Sequence, residues 1–178
     1  MISPTEHDPI SPLQGPLLCI VGPTAIGKNK AAHILSQSLD IEIINADSRQ
    51  VYKEVLIGTG SPRISKVDAP QHHLYNFTPP EVSYNLQSFT HDARRAIKDI
   101  HRKNKLPVLL GGTGQYIWAL LDNWQIPAVA PDEDFRSHYI NRVATDGPQG
   151  LPLELQQIDQ PSSSSIPINH VRRATRDM

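Results

Sequence analysis

Short apolar runs alternate with helix-like stretches along the first two thirds of the chain. Three runs are continuous and rich in branched side chains, which is typical of strands buried on both faces of a parallel sheet. They are LLCIV (17–21), IEIINAD (41–47) and LPVLL (106–110). Two stretches between them repeat apolar residues at helical spacing. The first, 30–39, aligns Ala31, Ile34, Leu35 and Leu39, and the second, 84–103, aligns Leu86, Phe89, Ala93, Ile97 and Ile100.

The order of these elements indicates the topology. A strand, a helix and a second strand at this spacing form a βαβ unit, in which the strands are parallel and the helix packs on the sheet. QYIWALL (115–121), after the tight turn GGTG, is predicted as a further helix. We therefore predict an α/β fold with a parallel sheet and flanking helices.

The character of the chain changes after Trp124. Proline becomes frequent, PDEDFRSHYINRVA (131–144) and LPLELQQI (151–158) are predicted as helices, and QPSSSSIP (160–167) has the composition of a connector. We expect a flexible tail over residues 1–15, an α/β core over 16–125 and a partial small helical segment over 126–178.

Composition excludes several classes of function. A formal net charge of −1 over 178 residues gives no overall attraction to nucleic acid or membrane, so any RNA-binding surface has to be local. The single cysteine, Cys19, suits a reducing compartment and a place in the core. We see no secretory signal and no apolar run near the roughly 20 residues that cross a bilayer. We expect a cytoplasmic, monomeric protein without membrane contact.

The strongest chemical signal is GPTAIGKNK (22–30), between the first predicted strand and helix. It fits the phosphate-loop pattern G-x-x-x-x-G-K, in which backbone N–H groups, a helix N-terminus and a lysine bind an anion. We assign anion binding to Gly22, Pro23, Thr24, Ala25, Ile26, Gly27, Lys28 and Asn29, and we count Thr24 and Lys28 among the catalytic candidates. The alternative, a glycine-rich turn without function, suits this context less well.

Asn29 stands where a Ser or Thr hydroxyl normally ligates Mg²⁺. An amide oxygen is also an acceptable ligand, but its longer side chain does not reproduce the hydroxyl geometry. We expect Mg²⁺ as cofactor with Asn29 as a weak ligand, so that anion binding survives and metal positioning suffers.

Polar residues lie at the end of the second predicted strand and just after it, at the sheet edge where ligands of open α/β sheets bind. They are Asp47, Ser48, Arg49 and Gln50. The alternative for Asp47 is an aspartate that caps a turn. His72 and His73 make a poor metal pair, because adjacent side chains on an extended chain point in opposite directions. We expect them to be structural or to face RNA.

Four motifs in order give the chain a specific resemblance. They are GPTAIGKN, INADSRQVYKEVLIGTGSP (44–62), QHHLYNF (71–77) and LPVLLGGTGQYIWALL (106–121). The chain resembles the tRNA dimethylallyltransferase (isopentenyl-diphosphate:tRNA transferase) family over residues 17–176. The resemblance implies a P-loop NTPase-like parallel sheet. It also implies transfer of a dimethylallyl group from dimethylallyl diphosphate to N6 of the adenine 3′-adjacent to the anticodon in tRNA.

The resemblance also implies roles for single residues. The phosphate loop would grip the diphosphate leaving group, and Asp47 would accept the proton of the adenine amine. Residues resembling the tRNA-contacting positions of the family are Asp47, Ser48, Arg49, Gln50, Thr113, Arg172, Arg173 and Arg176. A helix N-cap is the alternative for Thr113, and a solvated helix face is the alternative for the three C-terminal arginines.

The chain departs from the family pattern at several points. Besides Asn29, Gln115 stands in place of Leu and His170 in place of Asp, and the family continues beyond the last residue of this chain. Two alternatives therefore stay open. One is a P-loop nucleotide kinase or NTPase, for which we find no Walker-B run unless IINAD serves. The other is a truncated, non-catalytic remnant that still binds diphosphate or tRNA.

Overall fold

The computed structural model describes residues 12–54, 58, 60–61, 70–126, 132–147 and 151–158. The chain forms two compact units, Met1–Ala128 and Val129–Met178. The described part of the first unit contains the elements β1 (Leu18–Val21), α1 (Lys28–Ser36), β2 (Ile41–Ala46), β3 (His72–His73), α2 (Leu86–Arg102), β4 (Leu106–Gly111) and α3 (Gly114–Leu121). The second unit contains α4 (Glu133–Asp146) and α5 (Leu151–Ile158).

The strands form one parallel sheet in the order β1-β4-β2-β3. The chain therefore crosses over twice to place β4 between β1 and β2. Both β2 and β4 are almost wholly buried. The predicted parallel α/β sheet is confirmed.

The expectation that the first strand is buried on both faces is wrong. Residues of β1 are half-buried, and Val21 is 52% exposed. The reason is its position at the edge of the described sheet, where fewer neighbouring side chains cover it. Cys19 packs against the core from this strand, and burial raises the pKa of its thiol.

Two hydrophobic clusters lie in the described part of this unit. The larger joins β2 and β4 to α2 and α3, and its buried members include Ile44, Phe89, Ala93, Ile97, Ile100, Leu109 and Leu120. The smaller contains Ala32 of α1 with Ile41, Ile43, Tyr75, Val108 and Leu110. The face predicted for 84–103 is confirmed. The predicted tail lies largely outside the described residues, although Leu13 packs against the larger cluster.

The buried face of α1 differs from the predicted one. Ala32 is fully buried and Leu35 half-buried, whereas Ala31, Ile34 and Leu39 are exposed. The helix begins at Lys28, directly after the phosphate loop, so the loop sets its rotation. The small side chain of Ala32 then allows a close approach to the sheet.

The second unit has its own polar contacts. The Asp132 carboxylate accepts a hydrogen bond from Phe135 N at 2.8 Å and so caps the start of α4. Glu154 of α5 accepts a hydrogen bond from the Tyr139 hydroxyl and pairs with Arg142, both in α4. The two predicted helices of this region are confirmed.

A buried carboxylate joins β2 to its surroundings. Glu42 is 1% exposed, and its Oε2 lies 2.7 Å from His73 Nε2 and 3.0 Å from Lys103 Nζ. Lys105 Nζ lies 3.6 Å from Oε1. Burial raises the pKa of Glu42, but the hydrogen bonds from His73 and Lys103 outweigh it and leave this pKa below its usual value. His72 Nδ1 lies 2.7 Å from the Pro70 carbonyl oxygen, so both histidines are structural.

Replacing this carboxylate is expected to destabilise the fold in a pH-dependent way. We expect Glu42→Gln to lower the free energy of unfolding by about 1–3 kcal/mol at neutral pH, because it removes the negative partner of Lys103 and His73. The folded-state pKa lies below the unfolded value of 4.5, so this stabilisation is present above pH 4.5 and is lost as the pH falls through the folded-state pKa. Urea denaturation across this range measures the effect, and the difference between wild type and variant should narrow on acidification.

Asp40→Asn is the matched control. The Asp40 side chain is 71% exposed and pairs with Lys105 at 3.1 Å, so its loss is expected to cost no more than about 1 kcal/mol. Equal losses in the two variants would show that the burial of Glu42 does not determine its contribution.

Candidate functional site

The phosphate loop connects β1 to α1 and contains three residues in the left-handed region. Gly22, Ala25 and Gly27 have φ values of 153°, 67° and 93°. Gly27 is the N-cap of α1 and has no side chain to cap the helix, so the first N–H groups of α1 stay available. A loop of this kind before a helix N-terminus forms an anion-binding concavity.

Lys28 closes this loop. Its Nζ donates to the carbonyl oxygens of Gly22 at 2.8 Å and Pro23 at 2.7 Å. An ammonium group has three donors, so one is left for an anion. Among the described residues no carboxylate pairs with Lys28, and its charge is therefore not neutralised by the protein there.

Asn29 is exposed as the second residue of α1, and Thr24 is exposed within the loop. In the part of the chain that the structure describes, no group of three or more His, Cys, Asp or Glu side chains is arranged to hold a metal ion. Mg²⁺ commonly takes one or two protein oxygens and completes its shell with substrate phosphates and waters. The amide oxygen of Asn29 fits that pattern as a single protein ligand.

The end of β4 lies between the phosphate loop and Asp47. Gly111 and Gly112 occupy this point, and a Cβ on Gly111 would overlap the Ala46 carbonyl. A Cβ on Gly112 would lie 3.0 Å from the Gly22 carbonyl oxygen. The strand next to β1 therefore ends in glycine and not in the aspartate that P-loop NTPases use there to hold Mg²⁺.

Asp47 follows β2 directly and is half-buried. Its Oδ1 accepts a hydrogen bond from Arg49 N at 2.9 Å, and its carbonyl oxygen accepts one from Gln50 N at 3.3 Å. No hydrogen bond from the described residues reaches Oδ2. One carboxylate oxygen thus caps the turn, as the alternative interpretation of Asp47 requires, while the other stays available for chemistry.

Thr113 ties the turn after β2 to the end of β4. Its Oγ1 accepts a hydrogen bond from Ser48 N at 2.9 Å and lies 3.3 Å from Ser48 Oγ, and Thr113 N donates to the Ala46 carbonyl oxygen at 3.1 Å. Thr113 occupies the N-cap position of α3, but its hydroxyl does not cap that helix. The structure therefore brings Asp47, Ser48 and Thr113 together at one sheet edge.

The remaining predicted tRNA contacts have different outcomes. Arg49 is exposed beside Asp47, and the Gln50 side chain donates to the Gly60 carbonyl oxygen at 3.3 Å. Arg172, Arg173 and Arg176 lie outside the described residues, so their role stays a prediction.

Sequence reasoning missed two features next to Asp47. Asn45 is a fully buried amide whose side chain binds the Asp47 main chain. Tyr75 and Tyr116 are buried, and burial is the main cause that raises the pKa of each phenol. The Asp47 charge raises both pKa values further, and Tyr52 adds to the rise at Tyr116. A polar residue inside the apolar run IINAD was the available signal for Asn45, whereas nothing local indicated the tyrosines.

A hollow of about 480 Å³ lies away from the phosphate loop and Asp47. It is lined by the end of α1 and by Asp40, Ile41, Pro70, Gln71 and Lys105. These residues precede or begin the strands, so the hollow is at the amino edge of the sheet. Ligands of open α/β sheets bind at the carboxyl edge. The phosphate loop and Asp47 are therefore the better candidate site.

No helix in the described ranges is long and apolar enough to cross a membrane.

Comparison with known proteins agrees with the four-motif resemblance. The family model described as IPP transferase matches residues 50–178, and the one described as isopentenyl transferase matches residues 16–76. A tRNA dimethylallyltransferase of Roseiflexus sp. (strain RS-1) is 42% identical over 161 residues, which are 90% of this chain and 53% of that protein.

Solved structures agree on the fold. The full-length tRNA isopentenylpyrophosphate transferase from Bacillus halodurans matches with a TM-score of 0.60 and 36% identity, over 90% of this chain and 53% of that one. A eukaryotic dimethylallyltransferase acting on tRNA matches with a TM-score of 0.73 at 24% identity, over 91% of this chain and 40% of that one. This last likeness concerns the fold alone.

The chain spans about half the length of the curated relatives it matches. The predicted family resemblance and the P-loop NTPase-like fold class are both confirmed. Because the IPP transferase model covers well over half of the chain, this protein belongs to the IPP transferase family.

Proposed function

We propose that this protein transfers a dimethylallyl group from dimethylallyl diphosphate to N6 of the adenine 3′-adjacent to the anticodon in tRNA, as a monomer in the cytoplasm. The observation that carries the proposal is that a loop of the phosphate-binding kind shares one sheet edge with Asp47, whose Oδ2 accepts no hydrogen bond from the described residues. The relatives' names give the substrate class.

The phosphate loop serves the leaving group. Diphosphate departs more readily when N–H donors and a cation stabilise its growing charge. The backbone from Gly22 to Gly27 and the remaining donor of Lys28 suit this task. Thr24, exposed in the loop, is a further candidate donor.

Asp47 serves the nucleophile. An exocyclic amine is a weak nucleophile because its lone pair is delocalised into the ring. In the proposed reaction the N6–C bond forms, the C–O bond to diphosphate breaks, and Asp47 Oδ2 takes the N6 proton. Oδ1 is already held by Arg49 N, so the acceptor oxygen keeps a defined orientation.

The residues around Asp47 would meet the RNA. A base in a tRNA loop has to leave its stack to be reached, and such bases are held by edge hydrogen bonds and stacking. Ser48, Arg49, Gln50 and Thr113 are the proposed contacts near the base, and Arg172, Arg173 and Arg176 are proposed contacts to phosphates.

Asn29 would hold Mg²⁺ through its amide oxygen, together with diphosphate oxygens and waters. When bound, the ion would neutralise charge on the departing diphosphate. A nucleotide kinase or NTPase is the poorer proposal, because β4 ends at Gly111 and is followed by Gly112, where a Walker-B aspartate would be needed. Incubation with dimethylallyl diphosphate and unmodified tRNA, followed by nucleoside mass spectrometry, tests the proposed reaction.

Loss of the loop lysine is expected to weaken diphosphate binding. Lys28→Ala should weaken pyrophosphate binding by about 10- to 100-fold, because it removes a charge-assisted hydrogen bond and opens the loop. Isothermal titration calorimetry measures the change. Lys30→Ala is the control, because Lys30 is exposed and acts on the loop only through screened attraction. Equal affinities in wild type and Lys28→Ala would contradict the assignment of the loop.

Loss of the Asp47 carboxylate is expected to slow the transfer reaction and to leave diphosphate binding nearly unchanged. Asp47→Asn should lower the transfer rate by about 10²- to 10⁴-fold, because the amide does not accept the N6 proton, while pyrophosphate affinity stays nearly unchanged. Asp99→Asn, at an exposed carboxylate on α2, is the matched control. Wild-type turnover in Asp47→Asn would refute the base role, and binding without turnover in the wild type would favour the non-catalytic alternative.

Because asparagine replaces the usual Ser or Thr at position 29, we expect pyrophosphate binding by the wild type to depend little on Mg²⁺. Pyrophosphate should bind the wild type nearly as well with EDTA as with Mg²⁺, because the compact hydroxyl ligand is absent and Mg²⁺ tolerates little distortion. Asn29→Thr should bind more tightly with Mg²⁺ than with EDTA. Calorimetry under both conditions measures this, and an identical response of the two proteins to chelation would make Asn29 a neutral substitution.

A further inference from the structure

Asn45 is the penultimate residue of β2, two positions before Asp47, and its polar side chain is fully buried. Its Oδ1 accepts a hydrogen bond from Asp47 N at 2.9 Å. Its Nδ2 donates to the carbonyl oxygen of Asp47 at 3.0 Å and to that of Leu74 at 2.9 Å. Both donor hydrogens and the acceptor oxygen are therefore used, which makes this amide a rigid connector.

The Asn45 side chain supplies main-chain partners to Asp47 where the pairing of strands in the sheet ends. The pairing of β2 with β4 stops at Ala46 and Gly111, so the main chain of Asp47 has no partner strand in the described sheet. Asn45 binds both the N–H and the C=O of Asp47 and anchors them to Leu74, just after β3. The Arg49 amide then holds one carboxylate oxygen.

We propose that Asn45 is a positioning residue that fixes Asp47 so that its Oδ2 oxygen keeps the orientation needed for proton transfer. This inference rests on the proposed function, in which Asp47 is the general base. Small misplacements of a reacting group slow chemistry severely, by about 10²-fold for 1 Å. Since β4 separates Asn45 from the phosphate loop, its effect falls on the transfer rate and spares diphosphate binding.

The test compares Asn45→Ala, Asn45→Ser and the control Ile100→Val. The Ser hydroxyl still accepts a hydrogen bond from the N–H two residues on, as in ST-turns, whereas Ala makes none of the three bonds. Ile100 is fully buried on α2, outside the site, and reports general destabilisation. The full chain is used for amide hydrogen exchange by NMR, pyrophosphate calorimetry and single-turnover transfer to tRNA.

In Asn45→Ala the Asp47 amide loses its hydrogen-bond acceptor, so we expect its hydrogen exchange to become faster. This acceleration should exceed the acceleration of the α2 amides in the same variant by about tenfold or more. Transfer should fall by about 10- to 100-fold, with the pyrophosphate dissociation constant within about twofold of wild type. Asn45→Ser should show smaller effects than Asn45→Ala on both the Asp47 amide exchange and the transfer rate. Ile100→Val should neither speed exchange at Asp47 relative to the α2 amides nor lower the transfer rate to the same extent.

Two results would overturn the positioning role. One is that Asn45→Ala leaves the exchange rate of the Asp47 amide unchanged relative to the α2 amides. The other is that it lowers the transfer rate no more than Ile100→Val does. Absence of transfer in the wild type would contradict the proposed function instead, and the exchange comparison at Asp47 then decides this inference by itself. If Asn45→Ala does not fold, Asn45→Ser supplies the same comparison, since it loses the Leu74 bond and should still exchange faster at Asp47 than wild type.

Discussion

The close approach of three strand ends is the constraint on which this site depends. At the end of β4, Gly111 and Gly112 leave no side chain between the carbonyls of Ala46 and Gly22. Thr113 can therefore donate from its N–H to Ala46 and accept from Ser48, and Gly22 N lies 3.4 Å from the Gly111 carbonyl oxygen. A larger residue at Gly111 would push β2 away and separate the turn that carries Asp47 from the phosphate loop.

Two buried polar side chains hold β2 at its opposite ends. Glu42 near the start binds His73 and Lys103, and Asn45 near the end binds Asp47 and Leu74. Buried polar groups are costly unless they are fully hydrogen-bonded, and both of these are well supplied with partners. Together they fix β3 and Leu74, the residue that follows it, against β2, so β2 is anchored at both ends.

The phosphate loop illustrates how one backbone device serves different chemistry. The proposed anion site consists of main-chain N–H groups and Lys28, and such groups bind the phosphates of a nucleotide and of a prenyl diphosphate equally well. Selection has to come from neighbouring groups. Here the adjacent strand, β4, ends in glycine, and Asp47 follows β2, one strand further away. β4 therefore places no carboxylate beside the phosphate loop to hold a metal ion for nucleotide hydrolysis, which accords with the proposed proton transfer to Asp47.

The sequence alone determined the features that local pattern encodes. Continuous apolar runs identified β1, β2 and β4, helical spacing identified the buried face of α2, and glycine and lysine spacing identified the phosphate loop. Tertiary structure decided the rest: the edge position of β1, the rotation of α1 onto Ala32, and the bond from Ser48 N to Thr113, 65 residues away. It also decided that Asn45 joins Asp47 to Leu74. The physical reason is that periodicity records which faces are apolar, whereas strand order, helix rotation and side-chain partners depend on contacts between segments far apart in the chain.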